Sequence, residues 1–141
     1  MLNILLVEDE PEHRTITRMV LQDRVGPMQM WEVEDGLEGI KYIHGKGRYA
    51  DRKKYPLPDI ILLDIRMPKV DGFEFMEDLN QININKKIPI IIITTSTQEQ
   101  EISRAFSLGA YGYITKPINI DKLVEKILSA KEKYVDGSFG M

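Results

Sequence analysis

Three short apolar runs, Ile4 to Val7, Ile60 to Leu63 and Ile90 to Ile93, punctuate a chain that is otherwise mixed in polarity. None alternates apolar with polar, so each reads as a strand covered on both faces, the pattern of a parallel sheet. Met30 to Val33 and Tyr111 to Ile114 are two weaker strand candidates. Between these runs, apolar residues recur with helical spacing. Ile16, Met19 and Val20 form a stripe behind Pro11, which suits a first-turn position. Leu37, Ile40 and Ile43 follow Asp35-Gly36, a cap and turn, and Phe73, Met76 and Leu79 make a third stripe. Ile102, Ala105 and Phe106 make a fourth, with Ser96-Thr97-Gln98-Glu99 as its expected capping box and Gly109 as its stop. Ile120, Leu123, Val124, Ile127 and Leu128 make the last, behind Asn119.

Strand then helix, five times, predicts an α/β fold, a doubly wound (βα)5 domain around a parallel five-stranded sheet. Right-handed crossovers leave few topologies. The length of 141 residues suits one domain, and after the last helix only a short tail from Asp136 to Met141 remains, expected to fray. A net charge of −3 offers no general attraction for nucleic acid or an anionic membrane. The absence of cysteine removes disulfides, thiol catalysis and zinc–thiolate sites. The N-terminal run is short and meets acids at Glu8-Asp9, unlike a signal peptide, so a cytoplasmic location is expected.

Open parallel sheets bind ligands at the carboxyl ends of their strands. The first run ends in Glu8-Asp9, the third strand in Asp64, the fourth in Thr94-Thr95, and the fifth leads into Lys116-Pro117. Singly, each has a commonplace explanation: a turn aspartate, a helix-dipole acid, a β-branched strand residue, a surface lysine. Jointly they place three carboxylates, a hydroxyl and an ammonium on one edge. Three carboxylates repel one another unless a cation joins them, and a hard ion such as Mg²⁺ (or Mn²⁺) suits that donor set. Such an ion also lets an anionic nucleophile approach an anionic phosphoryl donor. Asp64 is then the natural acceptor, with Lys116 and Thr94 placed to contact phosphoryl oxygens.

These pieces resemble the receiver domain of two-component response regulators. The match runs through Leu6-Val7-Glu8-Asp9-Glu10-Pro11, Asp59 to Pro68, Asp71-Gly72, Ile88 to Thr94 and Gly109 to Pro117, in order, covering Asn3 through Ile127. The resemblance implies a flavodoxin-like sheet of strand order 2-1-3-4-5, with a receiver domain over 1–135. It implies Asp64 as phosphoacceptor, Glu8 and Asp9 as the metal-holding pair, and the backbone carbonyl of Arg66 as a further ligand. It also implies Thr94 and Tyr113 as switch residues, a cis Lys116-Pro117 peptide, and a sensor histidine kinase or phosphotransfer protein as donor. Under this reading the chain is a signalling switch rather than an enzyme, promoting only its own phosphotransfer and dephosphorylation. Phosphorylation would bias the surface of the fourth helix, fifth strand and last helix.

Two departures qualify the match. The stretch from Ile43 to Asp59 is long and basic, with Lys46, Arg48, Arg52, Lys53 and Lys54 against Asp51. This, with Ile93-Thr94-Thr95-Ser96, is similar to stand-alone receivers that serve phytochrome-type histidine kinases. The loop reads first as solvated surface and second as a dock for an acidic partner. No output domain is expected after the last helix, so the expected output is a protein contact, a relay or a homodimer through that helix, which Tyr134 and Val135 extend. His13 and His44 lie away from the strand exits and read as plain surface, and Trp31 as packing on the second strand.

Two rival functions are weaker. A flavodoxin-like cofactor binder needs phosphate-cradling donors after the first strand, where Glu8-Asp9-Glu10 stands. An aspartyl-phosphate phosphatase needs an acid two residues after Asp64, where Arg66 stands.

Overall fold

The structure is a computed structural model and describes residues 1–137 of the chain. Five strands, β1 (Leu2–Val7), β2 (Met28–Val33), β3 (Ile60–Leu63), β4 (Ile90–Thr94) and β5 (Gly112–Thr115), form one parallel sheet. Their order is β2-β1-β3-β4-β5, the flavodoxin-like arrangement expected from the resemblance. Five helices connect or follow them: α1 (Pro11–Arg24), α2 (Gly36–His44), α3 (Gly72–Gln81), α4 (Glu99–Ser107) and α5 (Ile120–Ala130).

The continuous apolar runs bury both faces of the central strands. Ile4, Leu6, Ile60, Leu62, Ile91 and Ile93 pack with Leu21 of α1 and Leu123, Val124 and Ile127 of α5. Leu5, Val7, Ile61, Leu63, Ile90 and Ile92 pack with residues of α2, α3 and α4 on the other side. Each fully buried aliphatic side chain stabilises the fold by roughly 1.5–3 kcal/mol relative to exposure. Asp35, Asp71 and Asn119 each accept a backbone N–H at the start of α2, α3 and α5, and Gly109, at φ +101°, follows the end of α4.

Several local expectations are corrected. Ile16 and Met19 of α1 are exposed, and Thr17 and Leu21 make the buried contact instead. Ile16 and Val20 line an apolar groove of about 290 Å³ with Pro117, Ile118, Ile120 and Leu123. The capping box before α4 does not form: Gln98 is the cap without a side-chain bond, because Ser96 Oγ donates to Glu101.

The basic loop is partly internal. The Arg52 guanidinium donates to the carbonyls of Ile43 (2.6 Å), Tyr42 (2.9 Å) and Tyr55 (3.2 Å), so it closes the end of α2 rather than joining a solvated fringe. Tyr42, Tyr49 and Tyr55 meet ring to ring at 5.1–6.0 Å beside it, and Trp31 donates its indole N–H to Lys54 O at 3.1 Å. Lys46, Arg48, Lys53 and Lys54 stay exposed.

After α5 the chain continues as a π-helical turn, Lys131–Asp136. There the Tyr134 ring meets Tyr111 edge-on at 5.6 Å and Val135 packs on the α1–α5 core, so both are used within the chain. Lys131 pairs with Asp136 at 3.0 Å; the rest of the expected tail, 138–141, lies outside the described residues.

Candidate phosphoacceptor and metal site

The sheet ladder itself delivers the site residues. One hydrogen bond beyond each strand, the N–H of Glu8 donates to Val33 O (3.1 Å), that of Asp64 to Val7 O (3.0 Å), and that of Lys116 to Thr94 O (2.7 Å). Adjacent strands therefore release their side chains at one level. A carboxylate oxygen from each of Glu8, Asp9 and Asp64 lies within 4.8 Å of the others, with Glu8 and Asp64 buried. The close fit of Gly72 holds the floor of this cluster: a Cβ there would stand 2.7 Å from both Asp64 O and Ile65 Cα.

Lys116 turns back into the cluster. Its ammonium donates to Glu8 Oε1 at 2.6 Å and to Asp64 Oδ2 at 3.3 Å. Burial pushes the Glu8 carboxyl up to about 7, against the pull of Lys116 and with the negative charge of Asp64 adding to the rise. For Lys116, burial acts to lower the pKa but is outweighed by Glu8 and Asp64, so the ammonium is held above its usual range. A tight, partly desolvated group of acids relieved by one lysine is the donor set a hard divalent cation fits: all oxygen, anionic, and short of positive charge.

Thr94 is fully buried at the end of β4, and its Oγ1 accepts the Ser96 N–H at 3.3 Å. Tyr113, half-buried on β5, donates its hydroxyl to Ser96 O at 3.0 Å, and burial raises its phenol pKa. Ser96 Oγ and the Arg66 guanidinium (3.0 Å) both donate to Glu101 Oε1. The Arg66 N–H donates to Asp64 Oδ1 at 3.2 Å, which fixes the backbone of the β3–α3 loop beside that carboxylate. Lys116-Pro117 is cis.

His13 was missed by the sequence reading. Its Nδ1 lies 2.8 Å from Lys116 Nζ and 3.1 Å from Glu10 Oε2, so it belongs to the site. The signal was the start of α1 at Pro11, two residues past Asp9, which turns the first helical turn back over the strand exit. His44 is remote, paired with Asp78 at 2.8 Å.

The rival readings fare poorly on this geometry. Carboxylates, not phosphate-cradling donors, stand at the exit of β1, and the residue two after Asp64 is a guanidinium engaged by Glu101.

The profile of the response regulator receiver domain matches residues 4–128. Response regulator Rcp1 of Synechocystis sp. is 31% identical over 124 residues, covering 88% of this chain and 82% of that protein. The crystal structure of the phosphorylated cyanobacterial phytochrome response regulator RcpA is 31% identical, with a TM-score of 0.78 over 94% of this chain and 93% of that one. The Mn²⁺-bound form of Rcp1 is 29% identical, with a TM-score of 0.77 over 93% and 92% of the two chains. The expected likeness to regulators of phytochrome systems is thus borne out. With a sheet of order 2-1-3-4-5 and this match across most of its length, the chain belongs to the response-regulator receiver family of two-component signalling proteins.

Proposed function

We propose that Asp64 is the residue this regulator uses to accept a phosphoryl group, with Glu8, Asp9, Asp64 and the backbone carbonyl of Arg66 holding Mg²⁺ or Mn²⁺. The observation that carries this is the convergence of Lys116 on Asp64 and Glu8 at the strand exits, beside Asp9. The ion's contribution is to offset the charge of the acids and of the phosphoryl oxygens.

The donor is a phosphohistidine on a sensor histidine kinase or phosphotransfer protein; the likeness to RcpA favours a phytochrome-type kinase. An Asp64 oxygen forms the new O–P bond as the P–N bond breaks, and the imidazole nitrogen leaves with the electron pair and takes up a proton. Lys116 and the Thr94 hydroxyl bind phosphoryl oxygens. Drawing Thr94 toward the phosphoryl group removes the acceptor of the Ser96 N–H, so the loop that also holds Tyr113 shifts, and the change reaches α4, β5 and α5. Water then attacks the acyl phosphate, returning the Asp64 carboxylate and inorganic phosphate.

The receiver domain is taken as 1–135 with a short tail after it. Coverage of most of Rcp1 and RcpA supports a single-domain regulator whose output is a protein contact or a relay, and a cytoplasmic location belongs to the same proposal. Among described residues no helix is long and apolar enough to cross a membrane. A net charge of −3 favours a protein over nucleic acid as target. For a homodimer through α5, Ile120 and Leu128 are the exposed apolar residues.

The test is incubation with acetyl phosphate and Mg²⁺ followed by intact mass. Gain of one phosphoryl group by the native chain, absent from Asp64→Asn, is expected. Labelling that survives the substitution overturns the assignment.

A further inference from the structure

The Lys116 ammonium has three N–H donors and no lone pair. Three acceptors surround it: Glu8 Oε1 at 2.6 Å, His13 Nδ1 at 2.8 Å and Asp64 Oδ2 at 3.3 Å. Because the ammonium only donates, Nδ1 of His13 supplies a lone pair and the ring carries its proton on Nε2. The opposite tautomer would set N–H against ammonium at 2.8 Å. Glu10 Oε2, at 3.1 Å, would welcome that tautomer, but its side chain is 58% exposed and free to turn to water. The Lys116 side chain is 9% exposed and is not.

The three acceptors differ in one respect. Glu8 and Asp64 belong to the acidic cluster, so a divalent ion bound there shares their oxygens, and Asp64 is also the atom donor to the incoming phosphorus. In this tautomer His13 is uncharged, and it is not one of the three clustered carboxylates, although its Nδ1 lies 3.8 Å from Glu8 Oε1. Its hydrogen bond to Lys116 is therefore the one whose acceptor atom neither an ion in the carboxylate cluster nor a phosphoryl group on Asp64 would take up.

We propose that His13 is a positioning residue for phosphotransfer, a neutral anchor that keeps the Lys116 ammonium in place while Glu8 and Asp64 are engaged by metal and phosphoryl group. This rests on Asp64 being the phosphoacceptor. His13 touches no reacting atom; it acts through Lys116, limiting the positions the ammonium samples.

The test compares His13→Leu, which removes the acceptor and keeps bulk, with His13→Asn, whose side-chain oxygen can take the place of Nδ1. Acetyl phosphate is used as donor so that protein docking plays no part. At saturating Mg²⁺ the leucine variant should show a single-turnover rate constant lowered roughly three- to tenfold, with unchanged Mg²⁺ affinity, and asparagine should restore most of it. A second readout needs no phosphorylation: in ¹⁵N spectra of the metal-free protein, the Lys116 ammonium protons should exchange with solvent faster in the leucine variant. A labelled native chain with a leucine variant of native rate and native ammonium exchange overturns the anchor alone, as does asparagine performing no better than leucine. A native chain that takes no label overturns the Asp64 assignment and the anchor with it.

Discussion

Lys116 Nζ and Glu8 Oε1 lie 2.6 Å apart, with 9% and 4% of the two side chains exposed. Removing one partner of so buried a pair leaves the other charge stranded. Lys116→Met should therefore destabilise the metal-free protein by about 2–4 kcal/mol at pH 8, where Glu8 is otherwise ionised. The loss should shrink at pH 6, where Glu8 is already largely protonated. Urea unfolding at the two pH values, with and without Mg²⁺, measures the difference.

Metal binding should be linked to protons. Glu8, raised to about 7, holds a proton below neutrality that a divalent ion must displace, so Mg²⁺ affinity should rise as pH increases through 7 and then level off. In the metal-free state the sign for folding is opposite. A carboxyl whose folded pKa lies above its ordinary 4.5 contributes stability that is fully present below 4.5 and is lost as pH rises through 7. Calorimetric titration of Mg²⁺ in two buffers of different ionisation heat should reveal proton release near pH 7 and almost none at pH 9.

Gly72→Ala is expected to disturb Asp64 from beneath. The added Cβ meets backbone on both sides, Asp64 O and Ile65 Cα at 2.7 Å, so no flexible side chain can yield. A loss of about 1–3 kcal/mol is expected, as for other overpacked sites. Slower labelling by acetyl phosphate should accompany it. Thermal unfolding and single-turnover labelling check the two effects together.

Arg52 should be a stability residue and its basic neighbours should not. Arg52→Ala removes charge-assisted hydrogen bonds from three carbonyls, of which Tyr42 O keeps the Gly45 N–H, and should cost about 2 kcal/mol. Lysine should rescue it poorly, because the fork reaches Tyr42 and Ile43 through separate nitrogens. Lys53→Ala and Lys54→Ala should each change stability by less than about 0.5 kcal/mol. Guanidinium chloride midpoints compare the four variants.

The strands and their exits were legible because both rest on local composition. Unbroken apolar runs require two covered faces, and the residues ending them must then share one edge. What escaped depends on the phase of a helix against the sheet. In α1 three apolar residues, Ile16, Met19 and Val20, outnumber the buried Thr17 and Leu21, yet the entry angle after Glu10 turns the latter inward. The same turn carries His13 to Lys116. Arg52 sits among four other cations and an acid, and nothing local marks the one that three carbonyls will surround. Ser96 read as a cap by its spacing to Glu99; Glu101, two residues further on, took its hydroxyl instead.

Ser96 is gripped at every polar atom it has. Its N–H rests on Thr94 Oγ1, its carbonyl receives the Tyr113 hydroxyl, and its hydroxyl meets the Glu101 oxygen that also holds Arg66. A residue so fastened cannot slide by degrees. Under the proposed switch, a Thr94 that turned away would make Ser96 exchange one whole set of bonds for another, as a detent in a latch clicks between stops. A chemical event that is continuous in time would thus become a step in shape, and a partner reading this surface would meet one of two faces rather than a blend of them.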